Sequence, residues 1–164
     1  MKKLALVIFF LLIAVWIYAS DSNVERLSLK GLKGLEVVSH LQSNVSLPGF
    51  KEGQLQGDIE NKLKRAGIKI PFKVEYDENP LDYGLLHVRV VIVYHETADF
   101  YFYTNNLEIM QYCVLSRDRN YETMMPTWSE GFSGGNTSIQ QIRAKILENI
   151  DMVIKAYFSV NPYK

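Results

Sequence analysis

The chain has 164 residues, 18 Lys and Arg against 18 Asp and Glu, three His and a single Cys. That length suits one domain with its own core behind a short leader. The balanced charge excludes a basic field of the kind that draws in nucleic acid, and the single Cys excludes an intramolecular disulfide.

Residues 1–20 have the three parts of a secretory signal peptide. Lys2 and Lys3 come first, an uncharged apolar run fills 4–17, and Tyr18, Ala19 and Ser20 precede Asp21. Cleavage is expected near Ala19, which leaves no transmembrane span and a mature chain with 16 basic against 18 acidic residues. The alternative is that 4–19 stays as an anchor, although the run is slightly shorter than the about 20 residues of a spanning helix. No Cys follows the run, so lipid attachment at the cleavage edge is excluded. The expected address is periplasmic or secreted.

Residues 21–33 are polar and weakly patterned and read as a leader. A single domain, 34–164, follows. In 34–41, Leu35, Val37 and Leu41 alternate with Glu36, Val38 and His40, which predicts a first strand. Pro48 and Gly49 sit in a polar loop. In 54–66, Leu55, Ile59, Leu63 and Ala66 form a helical stripe. Acidic residues lie early in that helix, basic residues late, and Gly67 caps it.

The cleanest period-2 pattern is 68–76, where Ile68, Ile70, Phe72, Val74 and Tyr76 alternate with polar residues and Pro71. It predicts a second strand at a sheet edge. The third strand is 85–95, with Leu86, Val88, Val90, Ile92 and Tyr94 inward, and 96–99 closes a hairpin. The fourth is 100–115, with Leu107, Ile109, Cys113 and Leu115 on one phase. Residues 116–120 close a second hairpin, and 121–128 is a fifth strand weakened by Pro126. The Gly-rich stretch 129–136 reads as a flexible connector. Thr137 or Ser138 then caps a final helix striped by Ile139, Ile142, Ile146, Ile150, Val153 and Tyr157, and Asn161 and Pro162 stop it. The expected fold class is α+β: an antiparallel four- to five-stranded meander covered on one face by two helices. Its first strand–helix–strand unit is compatible with a right-handed crossover.

Chemistry-bearing motifs are few. Gly131-Phe132-Ser133-Gly134-Gly135 fits the spelling of a nucleophile elbow, but all three His precede Ser133, against the Ser–acid–His order of that family. A small exported hydrolase using Ser133 is the rival reading. His95-Glu96-Thr97-Ala98-Asp99 resembles a zinc motif but falls in a hairpin turn, and that motif works only on a helix. His87 and His95 are roughly 26 Å apart at strand rise and cannot share a metal. Asp77, Asn79 and Asp82 lack the Gly and distal Glu of a calcium loop. No metal, cofactor or catalytic residue is expected. Cys113 reads as a core thiol. Gln111, on the same phase, must bond a helix end or line a polar cavity. The most suggestive binding residues are aromatic: Trp128 and Phe132 at the mouth of the Gly-rich stretch, with Tyr101 and Tyr103 at the start of the long strand.

Taken together, residues 59–70 (IENKLKRAGIKI), 107–117 (LEIMQYCVLSR), 127–131 (TWSEG) and 157–162 (YFSVNP) resemble a group of uncharacterised exported bacterial proteins. Their layout is similar to small periplasmic α+β modules such as the amino-terminal domain of TolB and assembly lipoproteins of the LptE kind. The resemblance covers most of the mature chain, and its motifs are structural. With no paired catalytic groups in an exported domain, the expected function is a non-enzymatic binding or assembly module with an envelope protein as partner, or a structural subunit of an envelope complex.

Overall fold

The computed structural model describes residues 22–162. The expectations about the signal peptide and its cleavage lie outside the described residues.

In chain order the elements are α1 (Asn23–Ser28), β1 (Gly34–Ser43), α2 (Glu52–Arg65), α3 (Lys73–Glu78), β2 (Tyr83–His95), a 3-10 turn (Glu96–Ala98), β3 (Phe100–Leu115), β4 (Asp118–Asn136) and α4 (Ile139–Val160). The class is α+β, as expected. The sheet, however, has four strands, not five, and it is mixed. The order is β1-β2-β3-β4, with β1 and β2 parallel and the other two pairs antiparallel. A parallel pair needs a crossover connection, and α2 lies within it.

The long helices follow their stripes. Leu55, Ile59 and Leu63 of α2 are fully buried. At its C-terminus Gly67 turns left-handed at φ +87°. Its amide donates to Lys64 O at 3.0 Å, and that of Ile68 donates to Leu63 O at 3.0 Å. This is the Schellman pattern, which Gly adopts without a Cβ penalty. On α4, Ile142, Ile146, Ile150 and Val153 have no exposed surface. Ser138 caps its start, accepting from the Gln141 amide at 3.4 Å. The two helices cover one face of the sheet and are tied to each other by Lys62–Asp151 at 2.8 Å and by Arg143–Asp58. The core between them is built from one phase of each strand: Leu35 and Val37, Leu86 to Ile92, Leu107 and Ile109, and Trp128. Burying large aliphatic and aromatic side chains is worth about 1.5–3 kcal/mol each and is the main driving term here.

Three expectations are corrected. The segment 68–76 is not a strand. Ile68 tucks into the core, Pro71 is buried, and the chain turns into α3 with Phe72 and Val74 exposed. Alternation makes a strand only where a partner offers a ladder. Pro71 has no N–H to give one, and Lys69 O accepts a bond from Leu35 N at 3.0 Å where it passes the start of β1. The Gly-rich stretch 129–136 is not a connector but the second half of β4, paired with Tyr101 to Glu108. The separate fifth strand at 121–128 is the first half of that same strand. Pro126 sits beside a bulge, where Met110 pairs with Pro126 and Ile109 with Trp128, so that Thr127 is the extra residue; a bulge tolerates proline.

The segment read as a leader forms α1, which buries no side chain of its own, and packs from Leu29 onward. Ser22 and Glu25 form a capping box, and Leu29 and Leu32 enter the core.

Candidate functional site: an apolar trough beside an open strand edge

The alternating geometry of a strand gives the sheet two faces with different fates. The covered face meets α2 and α4. On the open face, β2 between Leu85 and Val93 and β4 from Ser129 to Gly135 carry no buried side chain.

The open face changes character along its length. Its middle is polar. Glu108 accepts from Arg89 at 3.1 Å and lies 3.5 Å from His87 Nδ1, and the rings of His40 and His87 meet edge-on at 5.1 Å. Toward the end where β2 turns into β3, the face becomes an apolar trough of about 560 Å³, lined by Val91, Val93, Phe100, Phe102, Thr104 and the Ser133–Gly135 stretch. Phe100 and Phe102 pack edge to face at 5.1 Å, and Phe102 remains 52% exposed. The trough exists because β4 contributes almost no side chain there. Gly131, Ser133 and Gly135 are the residues it presents on this face. A Cβ on Gly135 would sit 2.2 Å from Phe100 Cε1, and one on Gly134, on the opposite face, 3.0 Å from the Tyr103 ring. Two aromatic rings thus clamp the glycine pair from above and below.

The trough borders a free sheet edge. β1, at one edge of the sheet, is partly closed: Leu35 N donates to Lys69 O at 3.0 Å and Leu41 N to the Glu52 carboxylate at 3.2 Å. The edge formed by β4 is treated differently along its length. Its first half carries Pro126, the bulge, and a bond from Ser28 Oγ to Thr127 O at 3.1 Å. The second half, from Ser129 to Asn136, has no proline, no lysine, no arginine and no bulge. Those are devices by which sheets block edge-to-edge pairing; the one this half does carry is an inward-pointing charge, the buried Glu130.

The four aromatic residues singled out in the sequence all lie on the covered phase. Trp128 is 1% exposed and belongs to the core, as does Tyr103, whose hydroxyl pKa is raised by burial. Phe132 is half-buried and packs against that core. Tyr101 stacks on Tyr94 at 4.7 Å, and Tyr94 donates to Asp99 at 2.7 Å. Of the four, Tyr103 borders the trough. The residues missed were Phe100 and Phe102, on the opposite phase of the same strand. Only the register separates the two phases, placing Gly135 opposite Phe102 on the open face and Gly134 opposite Tyr103 on the covered one.

Ser133 lies inside β4, opposite Thr104, and not on a strand-to-helix turn. His87 and His95 pair with Glu108 and Phe100, four residues to either side of Thr104, which separates each from Ser133 by roughly 13 Å along the strands. His95 caps the 3-10 turn, its Nδ1 accepting from Ala98 N at 3.2 Å. Among the described residues no group of three or more His, Cys, Asp or Glu is placed to hold a metal ion, and no helix is long and apolar enough to cross a membrane. Gln111 bonds a helix end, as one of its two readings required: its Nε2 donates to Ser28 O at 3.1 Å and to Thr127 Oγ1 at 2.5 Å. Cys113 is half-buried and not fully in the core.

No protein-family model matches the chain, and no curated protein sequence matches it.

Proposed function

We propose that this protein is an exported, non-enzymatic binding module that takes an extended apolar segment of an envelope protein along the second half of β4. The observation that carries the reading is the coincidence of a strand edge free of proline, lysine and bulge with an apolar trough beside it. Strand addition draws affinity from main-chain hydrogen bonds and specificity from pockets for alternate side chains. A strand added outside β4 would lie two strand spacings, about 10 Å, from the strand that carries Phe102. The small residues Gly131, Ser133 and Gly135 leave that span open, so a large apolar side chain of the partner reaches Phe102 across β4. Glycine within a strand is also the usual mark of a close backbone approach. Export follows from the signal-like composition of residues 1–20.

The test is site-specific photo-crosslinking in intact envelopes. A photoreactive residue at Ser133 is expected to give a discrete adduct that Phe102→Ser removes, whereas one at the exposed Asp151 on α4 gives none. Equal labelling from both positions, or an adduct at Ser133 indifferent to Phe102→Ser, would sink the reading.

A further inference from the structure

The other end of the sheet has a different surface. Register places the starts of β1 and β2, Gly34 and Tyr83, side by side, and Met110 and Pro126 next to them. Beyond Met110, β3 pairs with β4 alone, so 111–125 projects as a hairpin arm of roughly 17 Å at strand rise. α1 lies against the base of that arm through Ser28 and Gln111. α3 flanks the same end, Glu75 accepting from Lys69 and, at 2.5 Å, from the Tyr83 hydroxyl.

Eleven large hydrophobic side chains are exposed among the described residues, and all but Val93 and Phe102 belong to these end elements. Val24 and Leu27 stand on α1, Phe72 and Leu81 flank α3, and Tyr121 and Met125 lie on the arm. Phe72 is 83% exposed and Leu81 77%. Scattered exposed hydrophobics need no explanation, but a rim of them at one end does.

The chain itself indicates what covers the rim. The uncharged run 4–17 joins the domain here, through 18–21 and then the Ser22 cap of α1. Four residues span at most about 14 Å. Where the run stays uncleaved in a bilayer, the alternative to cleavage near Ala19, α1 is held within that distance of the hydrocarbon. Tyrosine is enriched at just this depth, and the arm carries Tyr112 and Tyr121. Charge near the tip is balanced, Arg117 and Arg119 against Asp118 and Glu122.

We infer that this end of the domain rests on a lipid bilayer, burying its apolar rim in the interface and holding the trough outward. The contact is apolar, and it goes beyond the strand-addition reading without depending on it.

The experiment uses the full chain reconstituted into vesicles of phosphatidylethanolamine and phosphatidylglycerol. In a Cys113→Ser background, an environment-sensitive fluorophore is placed at Met125→Cys, at Leu81→Cys or, at the far end, at Ser133→Cys. Quenchers attached to the lipid chains are expected to quench the first two several-fold more than the third. The difference should persist at about 1 M salt, where the screening length falls to about 3 Å. A triple change, Leu27→Ser with Leu81→Ser and Tyr121→Ser, should abolish quenching at Met125→Cys while leaving the circular dichroism unchanged, since all three side chains are exposed. Equal quenching at both ends would mean that the domain swings freely on its tether and would overturn the inference, as would loss of the signal at high salt. Self-association of the chain in detergent through the same positions, without lipid quenching in vesicles, would make the rim an interface between copies instead.

Discussion

Asn105 is fully buried on the covered face of β3, and neither polar atom of its side chain has a hydrogen-bond partner. Asn149 on α4 leaves its amide nitrogen in the same state. A buried polar group without a partner costs about 1–3 kcal/mol. Asn105→Leu, close in volume, is therefore expected to raise stability by about 1–2 kcal/mol, read as a higher urea midpoint at unchanged slope. A lower midpoint would show that the amide is bonded after all. Single residues were legible where one constraint governed them. Gln111, apolar in phase but polar in chemistry, had to find a helix end or a polar cavity, and it bonds a helix end. The aromatics of the trough were not legible, because Phe100, Tyr101, Phe102 and Tyr103 run consecutively. Sequence cannot say which phase meets α4 and which is left open, and that choice decides whether a ring packs the core or faces a ligand.

At the scale of elements, β4 and α3 carry the most information. Gly131 and Gly135 share a face but not an environment. A Cβ on Gly131 meets Asn106 Oδ1 at 3.5 Å, an ordinary contact, whereas one on Gly135 strikes Phe100 and comes within 2.9 Å of Tyr101 O. Gly131→Ala should stabilise by about 0.5–1 kcal/mol, because Gly loses more freedom in a strand. Gly135→Ala should destabilise by about 1–3 kcal/mol through overpacking. Thermal melts of the two variants check the pair, and equal shifts would refute the clamp. α3 is held through Glu75, whose pKa is lowered by bonds from the Lys69 ammonium and the Tyr83 hydroxyl. A lowered carboxyl pKa contributes stability above its unfolded value, and that contribution fades as pH falls through the folded one. Amide protection at Tyr76 and Asn79 should accordingly weaken in acid below the ordinary value of 4.5, and Glu75→Gln should remove the pH dependence; an unchanged acid profile in that variant would rule it out. α2, β3 and α4 were legible because their periodicity is sustained and capped. The stretch 68–76 misled because period 2 describes a side-chain pattern, and a strand needs a neighbour as well.

At the scale of the molecule, the class, the two covering helices and two of the three strand pairings could be read in advance, while the direction of β1 against its neighbour could not. Hairpin lengths fixed β2, β3 and β4 as antiparallel neighbours. The partner of β1 depended on whether 68–76 took a place in the sheet. Once it did not, β1 fell beside β2, and the long crossover through α2 made that pair parallel.

The two ends of the described chain are fastened to each other. The Asn161 side chain accepts from Gly31 N at 2.7 Å and donates to Leu29 O at 2.8 Å, and the Tyr157 hydroxyl donates to Leu32 O at 2.7 Å. This clasp is a mechanical fitting. A load applied at Ser22 does not peel β1 from the sheet one hydrogen bond at a time. The bonds of the clasp join the segment before β1 to the last turn of α4, whose inward face is buried along its length. A pull on the start of α1 thus meets the clasp, between Leu29 and Leu32, before it meets β1.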